Sequence, residues 1–298
     1  MGFLSSQICF SEVTFRWIGV SGFTLTDGHT TLLFDPAVTS TPFSSWVIPF
    51  QTIQSDPNEV TYWAERCAIK RLDATFVNHA HTDHVIDAPS MVQKFGGFLA
   101  GSSSVRQVGL GHGLSDASLK VLKQDDIVQV GEFRVQAFST PHAPHLFNIL
   151  FADGDITQPL KPGSSPWDYR VGEMFSYAIT HPEGTLLFQA PSRILNPDVL
   201  EAVRPDTLLL TIANRVSSEV LIEKRVKPSQ AKKIIPLHWD HFFYPMERDG
   251  PPRPLWFQNP EEFESTFKKM ISNVAGPAHP APELIWPEYC KPISVGRR

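Results

Sequence analysis

Asn78-His79-Ala80-His81-Thr82-Asp83-His84 decides how the rest of the chain is read. It follows the apolar run Ala74-Thr75-Phe76-Val77, which reads as a buried strand, so the motif sits where a strand gives way to a loop. Gathering three imidazoles and a carboxylate this tightly is costly unless something cationic satisfies them. His79 and His81, at i and i+2, project the same way from extended backbone, and Asp83 and His84 lie past the bend, facing a second position. Neutral imidazoles with one hard carboxylate suit zinc first, with iron or manganese admissible. The plain alternative is a solvated polar loop, which is the better reading for a lone histidine but not for this cluster directly after a hydrophobic strand.

The same residues, His79-Ala80-His81-Thr82-Asp83-His84, resemble the signature of the metallo-β-lactamase-fold hydrolases. That resemblance implies an α+β fold, an αβ/βα four-layer sandwich of two packed mixed β-sheets flanked by helices. It would form a single domain over 1–298, with an N-terminal half of about 1–152, a C-terminal half of about 174–298 and a loop insertion at 153–173.

With 298 residues and 42% hydrophobic content, the chain can bury a substantial core. A net charge of −5 and scattered Lys and Arg give no basic stripe, so no nucleic-acid partner is expected. No run reaches the roughly 20 apolar residues of a membrane span, and the first ten residues lack the charged start and apolar core of a signal peptide. Cys9, Cys67 and Cys290 are odd in number and widely spaced, which argues against a disulfide framework or a thiolate metal site. A reduced, cytoplasmic setting is the default expectation, with Cys67 as core filler. Oligomeric state is not legible.

The chain opens with β-prone runs at 13–18, 23–26 and 31–34, with Asp27-Gly28 as a hairpin turn. Such an opening differs from an amidohydrolase barrel, whose His-x-His would come close after its first strand. Residues 39–53, with Phe43, Trp46 and Phe50, read either as a lid over the site or as a packed loop. A helix is predicted over about 59–72, capped by Asp56, and another from Asp87, acting as a cap, to about Phe95. His112 reads as a surface histidine. Alternating strands are predicted at 119–122, 127–130 and 133–138, and a further strand at 147–152. After a polar stretch containing Trp167 and Tyr169, strands at 174–180 and 185–189 repeat the opening chemistry, which suits two similar β-layers packed face to face. Helices then follow from Asn196-Pro197-Asp198 and over 217–227, with strands at 206–211 and 234–237 and a late helix capped by Asn259. A last edge strand is expected at 284–286.

By resemblance, Asp35, in Leu33-Phe34-Asp35-Pro36, orients a histidine ligand; as plain sequence it is a turn starter. The Pro141-His142 pair matches the place of the third histidine of the first metal site, with His145 in reserve. His238, ending Ile234-Ile235-Pro236-Leu237, matches the last ligand, partnering Asp83 and His84. Most two-metal members carry a Gly-Asp pair whose carboxylate bridges both ions; here Gln189-Ala190-Pro191-Ser192 stands instead. A second ion would then bind more weakly or need another anion. Asp240 is a candidate replacement, or else it holds a histidine.

The resulting expectation is a hydrolase with one or two zinc ions, in which a metal-acidified water attacks a small-molecule lactone, ester or amide. Asp83 would act as general base if a single ion binds, and His241 or His145 would protonate the leaving group. A phosphodiesterase, a non-catalytic metal- or small-molecule-binding module and an iron-dependent oxidoreductase are the alternatives.

Overall fold

The computed structural model describes residues 12–145, 149–192, 197–215, 217–272 and 281–296. The opening β-runs form strands β1 (Thr14–Trp17), β2 (Phe23–Thr26) and β3 (Thr31–Phe34), all antiparallel. The Asp27 carboxylate closes the β2–β3 turn by accepting the backbone N–H groups of His29 and Thr30 at 2.9 and 2.7 Å. β3 is followed by helices α1 (Ser44–Val47) and α2 (Pro57–Arg66) and then by β4 (Ala74–Phe76), which runs parallel to β3. Next come α3 (Thr82–Val85), α4 (Ala88–Phe95), β5 (Phe98–Gly101), α5 (Ser103–Gly111) and β6 (Leu119–Val121), with β4, β5 and β6 parallel.

The chain then crosses to a second sheet. Strands β7 (Ile127–Val130), β8 (Phe133–Ser139), β9 (Phe175–His181) and β10 (Gly184–Gln189) pair antiparallel, and α6 (Pro197–Val203) leads to β11 (Thr207–Thr211), parallel to β10. α7 (Ser218–Leu221), a π-helical turn (Ile222–Val226) and α8 (Lys227–Ser229) precede β12 (Lys233–Leu237). α9 (Pro260–Ser272) follows, then β13 (Glu283–Leu284) at the edge beside β12, and β14 (Pro292–Ser294) returns to pair with β1. Two mixed seven-stranded sheets, ordered β14-β1-β2-β3-β4-β5-β6 and β13-β12-β11-β10-β9-β8-β7, are therefore flanked by helices, the layering that the resemblance implies.

Their interface is aromatic. Phe23, Phe34 and Phe76 lie directly opposite one another in register across β2, β3 and β4, with ring centroids 4.7 and 5.2 Å apart. From the other sheet Phe188 meets Phe23 edge-on at 4.9 Å, and Tyr177 reaches Phe76 at 5.7 Å. Such pairs add about 0.5–1.5 kcal/mol each beyond the area they bury. The interface also fixes the site, because the Tyr177 hydroxyl donates to the Val77 carbonyl at 2.8 Å and the Phe175 N–H to the Asn78 carbonyl at 2.9 Å. The end of β4 is thereby anchored to the opposite sheet where the histidine motif starts.

Several expectations are corrected. Cys67 and Cys290 form a disulfide across 223 residues, so Cys67 is a cross-link rather than filler. Disulfides persist in oxidising surroundings, which removes the basis for assuming a reduced setting. α2 ends at Arg66, before 72, because Ala68 takes a left-handed conformation at φ 60° and Ile69 bonds back to Ala64. Asp87 precedes α4 without capping it; its carboxylate instead accepts from the Thr39 N–H and hydroxyl, both at 2.7 Å, and from the Ser55 hydroxyl at 2.6 Å. Of the strand expected at 147–152, Phe147 lies outside the described residues and 149–152 are irregular. Asn196, expected to start a helix with Pro197 and Asp198, also lies outside them. The crossover between the sheets falls at 122–126, so β7 and β8 belong to the second sheet. Among the described residues, no helix is long and apolar enough to cross a membrane.

Candidate metal centre

Three loops deliver the histidines, each from the end of a strand. β4 runs into Asn78 and His79; His81, with extended backbone, then precedes the single turn of α3, which carries Asp83 and His84. That change of backbone splits the motif between two positions. His79, His81 and His142 bring one nitrogen each to a common point, and Asp83, His84 and His238 do the same beside it, with every donor atom of a group within 4.8 Å of the others. His142 follows β8, and His238 follows β12 with φ 60°.

The hydrogen bonds behind the rings set which nitrogen faces inward. His79 Nδ1 bonds the Asn78 side-chain oxygen, His84 Nδ1 bonds Asp35 at 2.8 Å, and His142 Nδ1 bonds the Ala143 carbonyl. In the neutral tautomer that donates through Nδ1, each leaves the Nε2 lone pair free to point forward. His79 Nε2 and His81 Nδ1 face each other at 2.9 Å, while Asp83 approaches His238 Nε2 at 3.1 Å and His84 Nε2 at 3.6 Å. Asp35 therefore sits where the resemblance puts an orienting carboxylate. Its other oxygen accepts the Asn78 N–H at 2.7 Å, tying β3 to the motif.

Burial pushes the His79 and His142 imidazoles well below their usual range and His81 down to about 4. These three therefore offer neutral nitrogens, the form in which imidazole can hold a metal. Burial alone would raise the Asp83 carboxyl, but the neighbouring His84 and His238 outweigh it and keep Asp83 ionised. Around His84 the order reverses: burial disfavours the imidazolium, yet Asp83 and Asp35 together raise its pKa, so this position stabilises positive charge. Three uncharged nitrogens beside an acid-flanked pair of histidines fit one or two divalent cations of the zinc class. Among the described residues, Asp83 is the sole carboxylate in either group.

Asp240 does not join them. It is wholly buried, with one oxygen accepting the Val20 N–H at 2.9 Å and the other the Tyr289 hydroxyl at 2.8 Å. Pro191, standing where a bridging aspartate would be expected, accepts the Ala143 N–H at 2.8 Å beside His142. His241 packs against Phe243 and Tyr244 and is not among the residues lining the cavity, whereas His145 is. His145 Nδ1 accepts the Phe151 N–H at 3.1 Å, so its neutral ring presents Nε2–H as a donor.

The cavity over these ligands measures about 810 Å³. Its wall contains aromatic side chains that form two arms, joining Phe43 and Trp46 of the 39–53 segment to Phe151, Trp167, Phe242, Phe243 and Trp256, which the sequence reading left outside the site. From His145 one passes through Phe151 at 5.2 Å and Trp167 at 6.0 Å to Trp46 at 5.2 Å. From His238 the other runs through Phe242 and Phe243 to Phe43, which meets Trp256 at 6.0 Å. Both arms reach α1 or Phe43 beside it, so Phe43, Trp46 and Val47 of the 39–53 segment cover one side of the cavity, whereas Phe50, also named in the lid reading, is fully exposed to solvent. For Phe242, Phe243, Trp256 and Phe257 the signal was the density of aromatics in the stretch 242–257, which also carries four prolines. Among the described residues, Arg215 is the one Lys or Arg on the wall, and it is committed to Glu262 at 3.0 Å, the Ile212 carbonyl and Gln258.

No family model matches the sequence, and no curated protein matches it. Solved structures do. An isothiocyanate hydrolase from Delia radicum gut bacteria superposes with a TM-score of 0.60 at 12% identity, covering 95% of this chain and 99% of its own. The metallo-β-lactamase fold protein YhfI of Bacillus subtilis gives 0.57 at 13%, with 95% and 99% covered. CmlA, a diiron β-hydroxylase from Streptomyces venezuelae, gives 0.55 at 14%, covering 95% of this chain but 54% of its own. At these identities the likeness concerns the fold.

Proposed function

We propose that this chain, which has the metallo-β-lactamase fold, is a metal-dependent hydrolase acting on small, largely apolar lactones, esters or amides. The observation that carries the reading is the convergence of His79, His81 and His142 beside Asp83, His84 and His238 at the floor of an aromatic cavity. Zinc suits the donor set best, with manganese or iron admissible; the diiron neighbour makes iron worth measuring. A bound divalent cation supplies Lewis acidity, bringing a water towards a pKa of about 7 and polarising an acyl oxygen. The chain does the rest. With a single ion at His79, His81 and His142, Asp83, held ionised, would orient the attacking water and accept its proton, and His145 Nε2–H faces the cavity as the donor to the departing group. The aromatic arms hold the apolar part of the substrate and exclude bulk water.

A phosphodiester is the poorer fit, because Arg215 is already paired and, among the described residues, no other Lys or Arg lines the wall to meet a phosphate. The test is turnover of aryl ester, lactone, anilide and bis-aryl phosphodiester panels by protein loaded with zinc, manganese or iron. Hydrolysis of a carboxylic substrate that is lost on chelation and restored by metal is expected. A preference for the phosphodiester would transfer the site to the alternative reading, and metal uptake with no turnover across the panel would leave a binding module.

A further inference from the structure

The metal ligand His238 stands on strained backbone held by a second network. His238 at φ 60° donates its N–H to the Val20 carbonyl at 2.8 Å. Val20 itself lies at φ 50°, a conformation costly for a β-branched residue, of order 1–3 kcal/mol, that persists only where its surroundings enforce it. What enforces it is Asp240, accepting the Val20 N–H, and Trp17, whose indole N–H donates to the Val20 carbonyl at 3.0 Å. Asp240 is in turn held by the Tyr289 hydroxyl, and the Tyr289 ring stacks on Trp17 at 4.8 Å and meets Trp63 of α2 at 5.4 Å. The next residue is Cys290, bonded to Cys67 at the end of α2, and its N–H donates to the Trp17 carbonyl at 2.7 Å. An unbroken chain of contacts thus runs from the disulfide through Tyr289, Asp240 and Val20 to His238. Among the described residues, nothing comparable joins the disulfide to the anchors behind His79 and His142, which are the Asn78 side chain and the Ala143 carbonyl.

We propose that Asp240 and Tyr289 are positioning residues for His238, clamped by the Cys67–Cys290 disulfide. Cation affinity at Asp83, His84 and His238 then depends on that bond, whereas affinity at His79, His81 and His142 does not. The proposal rests on the metal reading above.

Zinc titration of chelator-stripped protein against a chromophoric competitor tests it, with His142→Ala and His238→Ala identifying which binding step belongs to which position. Cys67→Ala/Cys290→Ala, Tyr289→Phe and Asp240→Ala should weaken the His238 step about 10- to 100-fold and leave the His142 step unchanged. Asp240→Asn, whose amide oxygen can still accept the Val20 N–H, should recover most of the loss. Thermal melts confirm that each variant folds, and the conservative Tyr289→Phe carries the test should the cysteine pair prove too unstable. The proposal is overturned if the His238 step is unmoved, if both steps fall together with Asp240→Asn no better than Asp240→Ala, or if wild-type protein binds one ion only at the His142 position. Wild-type protein that takes up no ion at all overturns the metal reading itself, and the clamp with it.

Discussion

The Asp35 carboxylate grips His84 from behind at 2.8 Å while its other oxygen holds the Asn78 N–H, so one buried side chain sets both the start of the motif and the direction of its last ring. Replacing it separates the two duties. Asp35→Asn retains an acceptor for Asn78 but no longer offers His84 an anion, and metal affinity at the His84 position is expected to fall about 10- to 100-fold. Stoichiometry after dialysis, measured by elemental analysis, should drop while the fold, read by circular dichroism, stays intact. An unchanged metal content would show that Asp35 only supports the turn.

If His145 Nε2–H protonates the departing group, its value depends on how much that group needs a proton. His145→Ala should slow an alkyl ester or alkyl amide by about 10²-fold or more and scarcely touch a nitrophenyl ester, whose leaving group departs unaided. Equal losses on both would mean that the ring acts by packing against Phe151. His241→Ala, outside the cavity wall, should change neither rate.

Much of this was legible in the sequence, for reasons of local physics. A polar cluster directly after a buried run locates the metal floor because few alternatives can satisfy those groups, and Asp27-Gly28 marks its hairpin because the turn chemistry is contained within four residues. What escaped depends on distance along the chain. The Cys67–Cys290 bond joins residues 223 apart, and nothing near either cysteine announces its partner. Asp240 lies two residues after a ligand, which suggests a site role; only the fold brings Val20 and Tyr289 to its oxygens. Asp87 was misread likewise, since a carboxylate before Ala-Pro looks like a cap until Thr39 and Ser55 are found claiming it.

That grip of Asp87 on Thr39 and Ser55 ties down both ends of the segment carrying α1, which gives that cover a hinge. Asp87→Ala should loosen it and raise KM with a smaller change in kcat, the pattern of lost substrate seating. Trp256→Ala and Phe43→Ala act on the same wall directly. Removing a partly exposed aromatic contact is worth about 1–2 kcal/mol, so KM for an aryl ester should rise about tenfold, and less for an acetate ester. A matching loss on both esters would argue that these rings serve folding rather than recognition.

His112 offers a pH test away from the metal centre. The sequence reads it as a surface residue, yet it is only partly exposed; its Nε2 is buried without a hydrogen-bond partner, and burial lowers its pKa from 6.5. The unfolded chain therefore takes up this proton at a higher pH than the folded one. Its contribution is fully present above about pH 6.5, and is lost as pH falls from there through the depressed folded value. His112→Leu removes the titration but keeps the backbone carbonyl that accepts from Gln93 at 2.7 Å. Melting temperatures at pH 7.5 and 5.5 should fall further for the wild type than for the variant, since every other titrating group is common to both and cancels in the comparison. If the two proteins lose the same number of degrees, the ring is solvated in the folded state and its burial is wrongly described.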